Sequence, residues 1–405
     1  MHFVPISSLL PLVGLFLQAS AQLTVLGAGG KDTIPNSYIV VLKPSANRTQ
    51  VQEHTHRINT YHRARSLEER AGTTGIGGEF SIDSVGSGPT FQGYSVHCDA
   101  RTLQEILHSS EVQYVEQEGK TSVDLTQKPS TWGLARISWK SLPWPYSYRY
   151  NSKWAGRGTT VYVVDTGVRV THKQFERRAR FGYNAVPGTK NNDKFGHGTH
   201  VAGTVAGKTY GVAKLANIVA VKVLNDKGEG TNGYTIKGLN WIGRNAKRYK
   251  SVVNMSLGGG RSKAVNDAVE ALYRKGIVVV VSAGNKGLLA SNYSPASAPN
   301  AITVGATDDW DWKAYFSNYG TSVDVFAPGV NVLSAWGTSD TATKYEDGTS
   351  MAAPHVAGLA AYFISSKTTN QSPLTIRNRI VNTSLKGKIW YPGTGSPNRL
   401  AYNGW

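Results

Sequence analysis

Cysteine is nearly absent from this 405-residue chain, which has a single one, Cys98. One cysteine excludes an intrachain disulfide, so an extracellular form would draw its stability from its core, from glycans or from a bound ion. Long apolar runs are also absent, because no stretch reaches the roughly 18 residues that a membrane-spanning helix needs. Apolar residues still make up 40% of the chain, which is enough to build a sizeable core.

Acidic residues are scarce after residue 124. Residues 1–124 hold 9 Lys and Arg against 12 Asp and Glu, a net charge of −3, whereas the remainder holds 35 against 14, a net charge of +21. A basic body and a slightly acidic leader favour electrostatic docking of one on the other. The positive charge also suits adsorption to anionic surfaces, although solubility alone explains it equally well. Because the basic residues are scattered and not interleaved with aromatics, we expect no nucleic-acid binding.

The first 21 residues are typical of a secretory signal peptide. Residues 7–18 are mostly apolar and are followed by Ala19, Ser20 and Ala21, a small-x-small cleavage pattern. The run is too short to cross a membrane, and the alternative interpretation is a buried N-terminal helix. The pattern predicts that residues 1–21 are removed and that the chain is secreted.

Residues 22–124 predict a small α+β domain whose folded part covers about 35–118. Strands are predicted at 37–42, 91–97 and 112–118, and helices at 47–65 and 100–108. Strands interleaved with two helices over about 80 residues indicate a βαββαβ, ferredoxin-like sandwich. The charged stretch 116–132 contains Pro129 and has no periodicity, so it predicts a linker.

Residues 125–405 alternate short, continuously apolar strands with helices. The predicted strands are 159–164, 217–223, 251–256 and 277–282, and the predicted helices are 198–207, 234–249, 262–275 and 350–366. Strands that are apolar throughout are typical of a sheet covered on both faces. The pattern therefore predicts an α/β fold with a mainly parallel β-sheet flanked by helices, and an active site beyond the carboxyl ends of the strands.

Three residues at element ends are candidates for catalysis. Asp165 ends a buried strand in VVDTG, His197 opens a helix in GHGTHVAG, and Ser350 opens another in GTSMAAPHVAG. A serine hydroxyl is a poor nucleophile without a base, and the base needs an acid to orient it. A helix start at Ser350 also brings a positive dipole end to a developing oxyanion. Each residue alone is typical of a structural cap, but together they predict a catalytic triad.

These motifs, with WGLARIS at 132–138 and SNYSPAS at 291–297, resemble the subtilisin-like serine proteases, most closely the fungal proteinase K group. The likeness covers about 132–403, and residues 35–118 are similar to the inhibitor-type propeptide of the same family. The resemblance implies a serine endopeptidase that needs no cofactor for its chemistry. It also implies that the propeptide acts as intramolecular chaperone and inhibitor.

The resemblance implies further site residues. Asn285 stands where the family places its oxyanion-hole donor, and the backbone N–H of Ser350 would be the second donor. The implied substrate-binding residues form one pocket wall (Ser256, Leu257, Gly258, Gly259), a second wall (Ser282, Ala283, Gly284) and an edge strand for the substrate (Gly228, Glu229, Gly230). Uncharged, glycine-lined walls predict a preference for large apolar or aromatic side chains. Asn232 replaces the aromatic residue of the fourth subsite, so no preference is predicted there.

The resemblance also implies one structural calcium site, formed by the carbonyls of Pro299 and Ala301 and the carboxylate of Asp324. A second calcium site of the family is expected to be missing, because Lys140 replaces a ligand. Four sequons are candidate glycosylation sites: Asn47, Asn292, Asn370 and Asn382. A fifth, Asn254, falls in a predicted buried strand and is expected to stay unmodified.

Two functions of other classes are open alternatives. A catalytically inactive homologue that acts as a secreted binding protein would carry a damaged triad or a blocked pocket, and neither is visible in the sequence. A basic nucleic-acid binder would carry a recognisable motif, and none is found. We expect a monomer that degrades extracellular or host structural protein and associates with anionic surfaces, but not with nucleic acid or membrane.

Overall fold

The computed structural model describes residues 23–29, 33–64, 72–82, 91–119 and 124–405, so the predicted signal peptide lies outside the described residues. The chain divides into two units, Met1–Thr121 and Ser122–Trp405. Within the described ranges, no helix combines the length and apolar character that spanning a membrane requires.

The first unit is a five-stranded sheet with two helices. Its elements are β1 (Val25–Leu26), β2 (Thr33–Leu42), α1 (Arg48–Arg63), β3 (Gly75–Ile82), β4 (Phe91–His97), α2 (Ala100–Leu107) and β5 (Val112–Gly119). The strand order is β1-β5-β2-β4-β3, antiparallel except for the parallel pair of β1 and β5. From β2 to β5 the element order is βαββαβ, which confirms the predicted ferredoxin-like domain.

The core of the first unit lies between the sheet and the two helices. Ile58 of α1 and Ile106 of α2 pack with Val40 and Val115 of the sheet, and Cys98 lies in the same cluster. Burial raises the pKa of the Cys98 thiol to about 12. The lone cysteine is therefore an unreactive core residue, because the thiolate is the nucleophilic form.

Over residues 124–405, the second unit contains the larger sheet, three two-stranded sheets and six α-helices. Its strands are β6 (Asp124–Gln127), β7 (Tyr148–Asn151), β8 (Thr160–Asp165), β9 (Ala179–Asn184), β10 (Asn217–Lys222), β11 (Ser251–Met255), β12 (Gly259–Gly260), β13 (Val278–Ser282), β14 (Tyr293–Ser294), β15 (Ile302–Thr307), β16 (Val325–Pro328), β17 (Val332–Ala335), β18 (Thr343–Glu346), β19 (Leu385–Lys386) and β20 (Arg399–Leu400). Its helices are α3 (Trp132–Arg136), α4 (His197–Ala206), α5 (Asn232–Asn245), α6 (Lys263–Arg274), α7 (Thr349–Ser365) and α8 (Pro373–Thr383).

Nine of these strands form one sheet in the order β19-β20-β16-β15-β13-β11-β8-β10-β9. All neighbours run parallel except the antiparallel pair of β19 and β20. Along β8, Val161 and Val163 face the core that contains α4 and α7, whereas Tyr162 and Val164 face the core that contains α5 and α6. This two-sided burial explains the continuous apolar runs and confirms the predicted α/β fold.

The predicted linker at 116–132 is wrong at both ends. β5 continues to Gly119, β6 pairs antiparallel with β7, and α3 begins at Trp132. β6 is short and polar and has no hydrophobic periodicity, so the sequence pattern does not reveal it. Backbone pairing with β7 is what orders it.

Candidate active site

The acid of the predicted triad, Asp165, is the last residue of β8, which lies between β10 and β11 in the sheet. Its side chain is wholly buried. Oδ1 accepts a hydrogen bond from the backbone N–H of Thr166 (2.7 Å) and lies 2.8 Å from Nδ1 of His197. Oδ2 is buried without a hydrogen-bond partner in the part of the chain that the structure describes. The carboxylate is thus placed to fix the orientation and tautomer of the histidine.

His197 is the first residue of α4, and glycines on both sides bring it close to Asp165. Gly196 has a φ of +102°, and a Cβ there would lie 2.4 Å from the ring of Trp336. A Cβ on Gly198 would lie 2.0 Å from the carbonyl oxygen of Gly167. A larger residue at 198 would push the start of α4 away from the end of β8, and one at 196 would collide with Trp336.

The environment of His197 favours its charged form. Burial lowers the pKa of the imidazole, but the charge of Asp165 and its hydrogen bond raise it, and Asp193 and Glu346 add to the rise. The resulting pKa lies above the usual value of about 6.5. With Nδ1 bound to Asp165, Nε2 is the nitrogen left to take a proton.

The candidate nucleophile, Ser350, lies in the first turn of α7. Its Oγ donates a hydrogen bond to the carbonyl oxygen of Ser256 (3.1 Å), and Oγ of Ser256 donates to the carbonyl oxygen of Ser350 (2.7 Å). Among the described residues no hydrogen bond joins Ser350 to His197. Catalytic hydrogen bonds are often long in free enzymes and tighten when substrate binds. In the absence of substrate, the hydroxyl of Ser350 is therefore hydrogen-bonded to Ser256 of the predicted pocket wall.

Asn285 lies beside the start of α7 with its amide oxygen occupied. Oδ1 accepts hydrogen bonds from the backbone N–H (2.9 Å) and the hydroxyl (2.7 Å) of Thr349. This pairing decides which way the amide points, because only the oxygen can accept both bonds. Nδ2 is then the group free to donate. The start of α7 also leaves the backbone N–H of Ser350 without an intrahelical partner.

A cavity of about 490 Å³ opens beside His197. It brings together seven of the predicted substrate-binding residues: Gly228, Glu229, Gly230, Ser256, Leu257, Gly258 and Gly259. Ser256 also accepts a hydrogen bond from Ser350, so the predicted pocket wall contacts the candidate nucleophile. The same cavity is lined by His197. Phe195, Leu224 and Val265 add apolar surface to the lining.

Two of the implied binding segments, 228–230 and 282–284, differ in their placement relative to the cavity. Residues 228–230 are the returning arm of a hairpin loop, with a single bridge between Leu224 and Gly230, and their pairing with a substrate strand stays a prediction. The positive φ of Gly228 (+80°) and the side chain of Asn225, which accepts from two backbone N–H groups, close this loop. Residues 282–284 are not among the lining of the cavity. Gly284 instead donates to Oγ1 of Thr349 (3.1 Å), and the predicted second wall stays a prediction.

The residues of the implied calcium site do not fit a calcium ion. Oδ1 of Asp324 accepts hydrogen bonds from Nη2 (2.6 Å) and Nε (3.0 Å) of Arg377, and Oδ2 accepts from the backbone N–H of Thr303 (2.8 Å). A guanidinium and a divalent cation would compete for the same carboxylate and repel each other.

The sequons differ in accessibility. The four candidate asparagines are all exposed: Asn47, Asn292, Asn370 and Asn382. Asn47 also caps α1, because its side chain accepts the backbone N–H of Gln50 (3.0 Å). Asn254 is wholly buried and donates to Oγ of Ser256 (2.9 Å), so a glycan has no access to it in the fold.

Two residues near His197 were missed by pattern reasoning. Asp193 accepts four hydrogen bonds around the start of α4, and Phe195 is 42% exposed at the cavity. An acid at the N-cap position is a recognised helix-start signal, but the N-cap of α4 is Gly196, so this signal does not mark Asp193. A lone aromatic in a polar loop gave no signal for Phe195 either.

The chain matches two family models. The model described as Subtilase family matches residues 156–404, and the model described as Peptidase inhibitor I9 matches residues 37–124. These two ranges agree with the two units of the fold and with the position of the triad and the cavity.

Curated relatives and a solved structure agree with the family models. A cuticle-degrading serine protease of Arthrobotrys oligospora is 49% identical, over 98% of this chain and 98% of the relative. An alkaline protease 1 of Aspergillus clavatus is 44% identical, over 92% of each chain. The crystal structure of a cold-adapted subtilisin-like serine proteinase has a TM-score of 0.64 at 42% identity, covering 68% of this chain and 98% of that one. The chain therefore belongs to the subtilase family of serine proteases and carries an I9 inhibitor domain ahead of its peptidase domain.

Proposed function

We propose that this protease is a secreted endopeptidase of broad specificity that favours large apolar or aromatic residues in its primary pocket and degrades extracellular structural protein. The observation that carries the proposal is the hydrogen bond of 2.8 Å between the buried carboxylate of Asp165 and Nδ1 of the partly exposed His197, beside a cavity walled by Ser256, Leu257, Gly258 and Gly259. Hydrolysis by acyl transfer follows from the roles that these residues can take.

The first step is attack by Ser350 on the peptide carbonyl. His197 takes the hydroxyl proton on Nε2 as Oγ bonds to the carbonyl carbon, and Asp165 holds the imidazolium that results. The negative charge on the carbonyl oxygen is held by Nδ2 of Asn285 and the backbone N–H of Ser350. Both donors are fixed before substrate arrives, because Thr349 orients the amide and α7 orients the backbone.

The second step releases the products. His197 returns its proton to the amine as the carbon–nitrogen bond breaks, which leaves an acyl-enzyme on Ser350. Water then attacks the ester, His197 takes its proton, and the acid product leaves as Oγ regains a proton. An unpaired Oδ2 on Asp165 leaves part of the carboxylate charge uncompensated by hydrogen bonds, which favours the imidazolium in both steps.

Specificity for apolar side chains is supported by the cavity, and degradation of structural protein by the name of a relative. Gly258 and Gly259 contribute no side chain to the wall, and Leu257 contributes an apolar one. A relative named as cuticle-degrading acts on a structural material, which supports a similar substrate here. The charge of the chain, +21 after residue 124, favours adsorption to anionic protein.

Secretion and maturation belong to the same proposal. The N-terminal pattern that ends at Ala21 supports export, and the I9 domain supports synthesis as an inhibited precursor. Cleavage near Leu125 would release the peptidase unit. N-terminal sequencing of the form recovered from culture medium tests this directly, and a mature chain that still begins near residue 22 would contradict the proposed maturation.

The substrate proposal is tested with a peptide library that varies the residue before the cleaved bond. We expect the highest kcat/KM for Phe, Tyr or Leu and the lowest for Asp, Glu, Lys and Arg. A preference for basic residues would contradict the proposal. Adsorption is tested on insoluble anionic protein with the Ser350→Ala chain, where binding should weaken between 50 mM and 500 mM salt. Binding that does not change with salt would exclude the electrostatic explanation.

A further inference from the structure

Asp193 is a buried acid for which the acyl-transfer steps above have no role. Only 3% of the residue is exposed, in the loop that precedes α4. Oδ1 accepts hydrogen bonds from the hydroxyl of Thr166 (2.8 Å) and the backbone N–H of Gly196 (2.8 Å). Oδ2 accepts from the backbone N–H (2.8 Å) and the hydroxyl (2.6 Å) of Thr199. All four partners donate, which is the pattern of an ionised carboxylate.

These bonds connect the two segments that carry the acid and the base. Thr166 directly follows Asp165, whereas Gly196 and Thr199 flank His197 in the first turn of α4. Oγ1 of Thr166 also accepts the backbone N–H of Gly198 (3.0 Å), so the same threonine binds both Asp193 and α4. The residue that follows β8 is thereby tied to the start of α4 by hydrogen bonds separate from the one between Asp165 and His197.

An ordinary helix cap would need only part of this arrangement. Capping satisfies the free N–H groups of the first turn, which Asp193 does for Thr199 and Thr166 does for Gly198. The bond from Thr166 to Asp193 adds nothing to the helix, since it joins the cap to the neighbouring strand. Its effect is to fix the distance between strand and helix, where a displacement of about 1 Å costs about 10²-fold in rate.

We propose that Asp193 is a positioning residue of the protease, which holds His197 against Asp165 through Thr166 and supplies a second negative charge near the imidazolium. The charged and titratable groups facing His197 are Asp165 on β8, Asp193 on the loop, Glu346 on β18 and His200 on α4. Lys222, the last residue of β10, donates a hydrogen bond to the carbonyl oxygen of Thr166. Asp193 is the buried acid among them that does not touch the ring.

Asp193→Asn is the first test. The amide keeps the size of the side chain but loses the charge and cannot accept all four bonds. We expect kcat to fall about 10–10²-fold with KM changed less than about threefold, because positioning acts on the transition state. The acid limb of the kcat/KM profile should move to lower pH, since one negative charge near His197 is removed. Asp267→Asn, which removes an exposed acid on α6, is the matched control and should change neither quantity.

The Thr166→Val and Thr166→Ser pair separates positioning from charge. Valine keeps the size and loses both hydrogen bonds of the hydroxyl, so kcat should fall about tenfold or more while the acid limb stays near that of the parent chain. Serine keeps the hydroxyl and should restore kcat to within about threefold. If Asp193→Asn does not fold, this pair carries the test alone.

Two results would overturn the inference. One is an Asp193→Asn enzyme with lowered kcat and an unmoved acid limb, together with a Thr166→Val enzyme of normal kcat, which is what a plain helix cap predicts. The other is normal kcat in both variants. Either result leaves the parent chain cleaving its substrates, so failure here is distinguishable from failure of the proposed proteolysis.

Discussion

The side-chain oxygen of Asn285 accepts hydrogen bonds from both the backbone N–H and the hydroxyl of Thr349, at 2.9 and 2.7 Å. These two hydrogen bonds to one residue turn the amide nitrogen of Asn285 away from Thr349. The orientation is set before any substrate binds, which is the condition under which an oxyanion donor stabilises a transition state most.

Asn285→Ala should therefore lower kcat by roughly 10²–10³-fold with little change in KM. The loss arises because the oxyanion forms only in the transition state. Thr349→Val should show a smaller loss, since it removes one of the two hydrogen bonds that orient the amide and keeps the one from the backbone N–H, and Thr349→Ser should be close to the parent chain. Steady-state kinetics on one peptide ester measures all three. A normal kcat in Asn285→Ala would exclude this residue as the donor.

The salt bridge between Arg377 and Asp324 leads to a prediction about metal removal. Because a guanidinium already binds the carboxylate, a chelator should leave the thermal midpoint of the Ser350→Ala chain unchanged. Arg377→Ala should cost about 2 kcal/mol, because it leaves a largely buried carboxylate without its charged partner. Added calcium should recover part of that loss in Arg377→Ala and have no effect on the parent.

Lys263→Ala is the matched control for the Arg377 variant. It removes one partner of an exposed pair with Asp267 and should change stability by only a few tenths of a kcal/mol. Strong destabilisation of the parent chain by a chelator would show that a calcium ion is bound after all.

Two buried histidines predict acid sensitivity of the peptidase unit. Burial lowers the pKa of His200 on α4 and of His355 on α7 to about 4. Both are neutral in the folded chain, whereas the unfolded chain binds protons below about pH 6.5. Stability is therefore full above about pH 6.5 and is lost as the pH falls toward 4, by at most about 3 kcal/mol for each histidine.

Urea unfolding of the Ser350→Ala chain at pH 7.5 and pH 4.5 measures this loss without self-digestion. His355→Gln should remove the contribution of His355, so the difference in stability between the two pH values should shrink by about 2 to 3 kcal/mol. An identical pH dependence in the variant and the parent would contradict the assignment.

Much of this fold follows from local sequence patterns. Residues 160–165 and 251–255 are mostly apolar because helices cover both faces of the sheet, and this pattern predicted both strands and the parallel architecture. The triad residues were predictable for a related reason, since each stands at the end of a strongly patterned element. β15 was missed because Gly305 interrupts its apolar run.

The features that escaped prediction depend on contacts between distant segments. Arg377 belongs to α8 and reaches Asp324 only after the chain has folded, so the implied calcium site looked intact in sequence. Asp193 lies in a polar loop whose residues suggest only a turn, and its bond to Thr166 requires β8 and α4 to be adjacent. No periodicity in either segment encodes the partner.

The most direct measurement of the central claim is covalent labelling of the nucleophile. The mature protein is treated with phenylmethylsulfonyl fluoride, digested and analysed by mass spectrometry, and residual casein cleavage is measured on the same sample. We predict one sulfonyl group, on Ser350, with cleavage lost in proportion to labelling, and labelling slowed on the order of 10⁴-fold in Asp165→Asn. Full casein cleavage in Ser350→Ala, or inactivation with the label on another residue, would contradict the account.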